Sequence, residues 1–175
     1  MMPRALLTFV GYQTVWVVSA LGAAGGWALA GPVAAALLIG VHLAIGPDRL
    51  RLAKLVALCG VLGLAAESLL ASSGLITYAA AGPFPPLAPL WIVSLWLAFA
   101  TTIAEFERLL GANRLLKAAA LGALLGPLAY LGGERLGALA FMPPRGVGVA
   151  AVSALWALSL PMLMVARARL THASH

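Results

Sequence analysis

Residues 52–72 read LAKLVALCGVLGLAAESLLAS, an apolar run interrupted by one lysine and one glutamate. A helix rises about 1.5 Å per residue, so about 20 apolar residues cross the roughly 30 Å hydrocarbon core of a bilayer. This stretch is therefore long and apolar enough to form a transmembrane helix. It also carries an acid, Glu67, at a depth where ionisable groups are costly and usually face the interior of a helix bundle.

The rest of the chain has the same character. Of its 175 residues, 63% are hydrophobic and only 9% are charged, and the mean hydropathy is +1.03. Soluble domains carry about 25% charged residues, so this chain cannot cover a water-facing surface. The composition excludes soluble, disordered and nucleic-acid-binding classes despite a net charge of +6. The cations stand in small groups between apolar runs, which is how membrane proteins place them.

Five more apolar runs of similar length accompany the first. Together they predict an all-α, polytopic fold in which residues 1–175 form one domain, a single bundle of six transmembrane helices. The spans are expected at about 5–23, 27–45, 52–72, 86–105, 115–131 and 147–166. Because successive loops lie on alternate sides of the membrane, nine of the eleven Lys and Arg residues fall on one side, and Arg135 and Arg145 fall on the other. The positive-inside rule therefore predicts an inner-membrane protein with both termini in the cytoplasm.

Four polar residues are expected in the external half of the bundle. Glu67 lies about five residues before the external end of the third span, and Gly60 and Gly63 on the same face predict a closely packed neighbouring helix. In the fifth span, the Gly122/Gly126 spacing allows close approach of a neighbouring helix, and Tyr130, Glu134 and Arg135 follow towards the same end. Glu67, Tyr130 and Glu134 are the candidate catalytic residues. Tyr78, Trp91, Trp96 and Arg135 are the candidate substrate contacts.

Two interpretations of Glu67 stay open. A carboxyl group in a dry environment either pairs with a cation or takes up a proton. If Arg135 pairs with Glu67, the two form a structural ion pair that joins two helices. If Arg135 pairs with Glu134, Glu67 is protonated and Tyr130 can relay its proton, as an acid catalyst or a proton-coupled carrier requires.

Three further features have both a structural and a functional interpretation. A second polar cluster, formed by His42, Thr101, Thr102 and Glu105, is either a proton relay or a set of interfacial residues whose threonines bond their own helix. Residues 83–86 (Pro-Phe-Pro-Pro) form an interfacial turn or a lid, because proline excludes a regular helix there. Cys59 is the only cysteine and permits no intrachain disulfide. No His/Cys pair has metal-ligand spacing, so no metal or cofactor is predicted.

Several segments resemble a known family. They are Glu67 followed by GLITY at 74–78, LAPLW at 87–91, LWLAFATT at 95–102 and GALLGPLAYLGGERLG at 122–137. Together they resemble the small bacterial inner-membrane proteins grouped as domain of unknown function 2878, and that resemblance implies a lipid-related role. The acid, the Gly-x-x-x-Tyr segment and the Pro-rich loop are more weakly similar to membrane enzymes of carotenoid biosynthesis.

Three functions are consistent with these features of the sequence. The first is a membrane protein that binds or modifies a hydrophobic substrate, a lipid or isoprenoid, within the bilayer. The second is the substrate-binding subunit of a vitamin-type uptake transporter, for which Ala20 and Ala24 of the first span offer a small-residue docking face. The third is a scaffold or assembly factor without substrate. The expected partners are membrane lipids with a hydrophobic substrate or a membrane protein, and no nucleic acid.

The predicted topology can be tested with reporter fusions. A reporter that is active only in the periplasm should be active when fused after Ala80 and inactive when fused at His175, because these positions lie on opposite sides of the predicted bundle. Activity of the fusion at His175 would contradict the arrangement. A reporter that is active only in the cytoplasm provides the reciprocal control at both positions.

Overall fold

A computed structural model describes residues 4–82, 84 and 87–172. The described chain is helical apart from two short strands. The helices are α1 (Arg4–Ala24), α2 (Ala30–Ile45), α3 (Arg49–Ser72), α4 (Leu90–Phe99), α5 (Ile103–Leu110), α6 (Arg114–Arg135) and α7 (Arg145–His172). The strands are β1 (Ile76–Tyr78) and β2 (Leu139–Phe141). Apart from the exposed Phe84, the predicted lid at 83–86 lies outside the described residues.

The helices are those of a membrane protein. Four of them, α1, α3, α6 and α7, are long and apolar enough to cross a bilayer, and the bent pair α4 and α5 makes a fifth if it is one span. Helix α2 has 16 residues, so at about 1.5 Å per residue it is shorter than the roughly 30 Å hydrocarbon core. The all-α class is confirmed. Of the six predicted spans, the structure supports four or five.

The predicted fourth span is not one continuous helix. It is interrupted between Phe99 and Ile103, and its two parts are bent by 46°. The Thr101 hydroxyl donates to the carbonyl of Ala98 at 2.8 Å, and the Thr102 hydroxyl donates to that of Phe99 at 2.7 Å. Hydroxyl groups that bond nearby carbonyls offer the backbone an alternative to the helical ladder. The two adjacent threonines therefore explain the break.

A two-stranded sheet, which the sequence analysis did not predict, joins two distant loops. Strands β1 and β2 pair antiparallel, with Ile76 opposite Phe141 and Tyr78 opposite Leu139. The pairing links the segment after α3 to the segment after α6. We call this side of the bundle the strand end.

The opposite side is the arginine-rich end. Side chains from five helices line one cavity there, among them Thr8, His42, Arg51, Arg108 and Arg167. The start of α1, the end of α2, the start of α3 and the end of α7 therefore share this end. The two ends separate the same two groups of cations that the sequence analysis separated.

Glycines mark the tightest helix contacts. Helix α3 packs on α4, and α6 packs on α7. Gly63 leaves room for the ring of Trp96, Gly126 leaves room for the ring of Trp156, and Gly122 lies against the backbone carbonyl of Trp156. Small residues allow this approach. Both predicted glycine faces are therefore contact surfaces, but they meet α4 and α7 and not each other.

Gly122→Ala should destabilise the protein, because the added methyl group would meet the Trp156 backbone, which cannot rotate away as a side chain can. Overpacking of this kind costs about 1–3 kcal/mol. Gly40→Ala is the matched control, since Gly40 is also helical but faces open space. Thermal melting in detergent should show a lower transition temperature for Gly122→Ala alone. Equal transition temperatures for the two variants would contradict the α6–α7 packing.

Candidate functional site

Glu67 is the centre of the candidate site. Its side chain is 0% exposed, and three groups donate hydrogen bonds to its carboxyl group. The Tyr78 hydroxyl donates to Oε2 at 2.5 Å, Trp96 Nε1 donates to Oε1 at 2.7 Å, and the Tyr130 hydroxyl also donates to Oε1. The donors come from β1, α4 and α6. Four separate elements, including α3, therefore meet at one carboxyl group.

The local sequence explains how the donors reach it. Gly63 lies one helical turn before Glu67 and leaves room for the Trp96 ring. Tyr130 follows Gly126 on α6, where that helix packs closely on α7. Tyr78 is the last residue of β1, and its pairing with Leu139 of β2 fixes that strand beside the end of α3.

Glu67 differs electrostatically from every other acid in the chain. The sequence contains five acids, and Asp48, Glu105, Glu107 and Glu134 each form an ion pair with an arginine. Among the residues that the structure describes, Glu67 alone is an acid without such a cation. A buried charge must be paired or strongly hydrogen-bonded, and here neutral donors do this instead of a cation.

The predicted pairing of Arg135 is wrong in both of its forms. Glu134 accepts instead from Arg145 Nη2 at 2.5 Å and from the backbone N–H of Phe141 at 3.0 Å. Arg135 is exposed and forms no ion pair within the described part of the chain. Adjacent residues on a helix do not face each other, which explains why Glu134 and Arg135 do not pair. Glu134 thus ties the start of α7 to β2 and makes no contact with Glu67.

The hydrogen bonds distinguish the two oxygens of Glu67. Indole N–H is a donor only, so Oε1 is held as an acceptor by Trp96. A hydroxyl group can donate or accept, so Oε2 can either accept from Tyr78 or, when protonated, donate to it. Burial raises the pKa of Tyr78, and the neighbouring Glu67 raises it further, so this hydroxyl keeps its proton. Oε2 can therefore carry the proton of Glu67 towards Tyr78, and Oε1, which keeps a second lone pair beside the Trp96 bond, can carry it towards Tyr130.

An apolar groove leads to this cluster. It has a volume of about 490 Å³ and runs between α1 and α6, with Phe9, Trp16, Leu121, Leu125, Ala129 and Trp156 among its lining residues. A smaller pocket of about 40 Å³ shares Trp16, Ala129 and Trp156 with the groove and is also lined by Trp96 and Tyr130. We call the two together the α1–α6 groove. Two of the three donors to Glu67 therefore form part of its wall.

The remaining predicted substrate contact, Trp91, packs against Tyr78. Its Nε1 donates to the carbonyl of Ala79 at 2.9 Å, and its ring lies edge-on to that of Tyr78, with centroids 6.1 Å apart. It is 2% exposed and also lines the smaller pocket. Trp91 thus holds Tyr78 in place through this ring contact and through its bond to the next residue of the chain.

The predicted second cluster lies at the arginine-rich end. His42, Thr101 and Glu105 line one cavity of about 180 Å³ there, whereas Thr102 lines the α1–α6 groove. His42 bonds the carbonyl of Leu38 through Nδ1 and the hydroxyl of Thr8 through Nε2, and Glu105 pairs with Arg108. No hydrogen bond joins His42 to Glu105 in the described structure, so the predicted relay lacks a direct contact. Both threonines bond their own helix, as one interpretation expected.

Comparison with known proteins gives one match. The model of the family described as "Protein of unknown function (DUF2878)" matches residues 5–162, which is most of the chain. No curated protein and no solved structure matches. The weaker likeness to enzymes of carotenoid biosynthesis is therefore not supported.

Substitutions at Glu67 test the cluster itself. Glu67→Ala should destabilise the protein strongly, because each buried donor left without an acceptor costs about 1–3 kcal/mol. Glu67→Gln should melt close to the natural protein, since the amide oxygen can accept from Trp96 and Tyr130 while its NH₂ group donates to Tyr78. Thermal melting in detergent measures both. If Glu67→Gln is as unstable as Glu67→Ala, hydrogen bonding does not hold this site together.

Proposed function

The chain belongs to the DUF2878 family, and since that family has no assigned function we propose one from the geometry. We propose that this is an inner-membrane protein that binds a hydrophobic substrate, a lipid or isoprenoid, in the α1–α6 groove. The Glu67 cluster then handles a proton at one end of the groove.

One observation carries this proposal: an apolar groove whose wall contains the hydrogen-bond donors of the unpaired acid. Ligand pockets typically have volumes of about 300–1,000 Å³ and mostly apolar walls with a few polar groups. The groove, at about 490 Å³, lies within that range. The rim residues Leu125 and Leu128 are 49% and 60% exposed, so a ligand can enter sideways from the hydrocarbon region.

The proposed roles divide among the cluster residues. Glu67 holds the proton, and Tyr130, which lines the pocket, passes it between Glu67 and a ligand. Trp96 and Tyr78 position the carboxyl group, and Trp91 positions Tyr78. Glu134 and Arg135 have no role in this proposal, because the contacts of Glu134 are with Arg145 and β2.

Six membrane passes with cytoplasmic termini fit the same proposal. The chain runs between the strand end and the arginine-rich end, with α2 and the bent α4–α5 pair as the two atypical passes. The concentration of Lys and Arg at the arginine-rich end supports placing that end in the cytoplasm. A transport subunit that docks through Ala20 and Ala24 is less favoured, since Ala24 is exposed but Ala20 is only 2% exposed and lines the smaller pocket.

Native mass spectrometry of the purified protein tests the proposed ligand. A hydrophobic molecule should co-purify with the natural protein, and Ala129→Trp should remove most of it by filling the groove. Leu124→Trp is the matched control, because Leu124 is on the same helix, 63% exposed and outside the groove lining. A water-soluble vitamin, or a protein partner alone, would contradict the proposal and favour a transport subunit or a scaffold.

The same preparation separates binding from modification. Glu67→Gln should retain the hydrophobic ligand, since the groove keeps its shape. If the protein modifies its ligand, the natural protein should release a second species that Glu67→Gln and Tyr130→Phe do not form. Loss of the ligand itself in Glu67→Gln would show that the carboxyl group serves binding and not proton transfer.

A further inference from the structure

A second groove lies between α3 and α7 at the arginine-rich end. It has a volume of about 830 Å³, and Lys54, Leu58, Met162, Val165, Ala166 and Arg169 are among its lining residues. It shares none of its lining residues with the α1–α6 groove. We call it the α3–α7 groove.

The two cations of this groove differ from the three ion-paired arginines at the same end. Arg51, Arg108 and Arg167 form ion pairs. Lys54 and Arg169 are exposed and have no ion pair within the part of the chain that the structure describes. Both line one groove, from two different helices, so the groove has two positively charged lining residues without an ion pair in the described structure.

The groove changes from charged to apolar along its length. Helix α3 starts at the arginine-rich end, so Leu58 lies one turn deeper than Lys54. Helix α7 ends there, so Val165 and Met162 lie one and two turns deeper than Arg169. A turn advances about 5.4 Å along a helix. Charge at the mouth and apolar surface below it is the order of groups in a phospholipid.

We propose that the α3–α7 groove binds an anionic phospholipid. Lys54 and Arg169 contact its phosphate-containing headgroup, and an acyl chain lies along Leu58, Val165 and Met162. A headgroup with net negative charge gains from both cations, whereas a zwitterionic headgroup brings its own positive charge and gains less. Because the deeper part of the groove is apolar, a free phosphate, which has no acyl chain, should bind poorly. This site is independent of the substrate proposed for the α1–α6 groove.

Native mass spectrometry with added lipid tests this site. At equal concentrations, the natural protein should retain phosphatidylglycerol in preference to phosphatidylcholine. The double variant Lys54→Gln/Arg169→Gln should retain about thirtyfold less phosphatidylglycerol, because it lacks both cations of the groove. The control Arg114→Gln/Lys117→Gln removes the same charge at the same end from two exposed residues outside the groove lining, and it should behave as the natural protein does. Equal losses in the two double variants would overturn the proposal in favour of diffuse attraction.

A second variant tests the apolar part of the α3–α7 groove without changing the charge of the groove. Ala166→Trp fills the α3–α7 groove and should also lower retention of phosphatidylglycerol, whereas Ala129→Trp in the α1–α6 groove should not. Unchanged retention in Ala166→Trp, or equal retention of the two lipids by the natural protein, would overturn the proposal. Because Ala129→Trp reports on the other groove, failure of one proposal is distinguishable from failure of the other.

Discussion

A carboxyl group buried in an apolar bundle without a cation is the constraint on which this structure depends. Burying such a group without hydrogen bonds costs several kcal/mol, so the fold must supply donors at the depth of Glu67. None of the three donors comes from α3 itself. The hydroxyl of Tyr78, the indole of Trp96 and the hydroxyl of Tyr130 come from three other elements. Helices α3, α4 and α6 and strand β1 are thereby held at one point.

The packing of two tryptophans determines how the helices lie around this carboxyl group. The rings of Trp96 and Trp156 stack with centroids 4.6 Å apart, and each lies beside a glycine of a neighbouring helix. These contacts draw α3 onto α4 and α6 onto α7. Helix α1 packs instead on α2 and α4, so apolar space stays open between α1 and α6. The groove is therefore a consequence of how the tryptophans fill the centre, and it ends at the donors that satisfy Glu67.

The charged residues divide the protein into two chemically different ends. At the arginine-rich end, three acids pair with arginines. Asp48 is partly exposed, whereas the side chains of Glu105 and Glu107 are largely buried and need their cations more. At the strand end, Glu134 and Arg145 join β2 to α7, and the deeper acid has no cation. The proposed proton-handling site and the proposed lipid-headgroup site can thus coexist, because the two lie at opposite ends of the bundle.

The sequence by itself determined the features that depend on local composition. Hydropathy gave the helical class and close bounds for α1 and α3 but ended α7 six residues early, and glycine spacing identified Gly63, Gly122 and Gly126 as contact positions. The cost of an acid in an apolar run singled out Glu67. The tertiary structure alone decided which groups meet. It pairs Glu134 with Arg145 and not with Arg135, makes Trp96 a donor to Glu67, and pairs β1 with β2. It also shows that the predicted fourth span is broken at Thr101 and Thr102. Hydropathy is a property of one segment, whereas a hydrogen-bond or ion-pair partner is chosen by the relative positions and rotations of elements far apart in the chain.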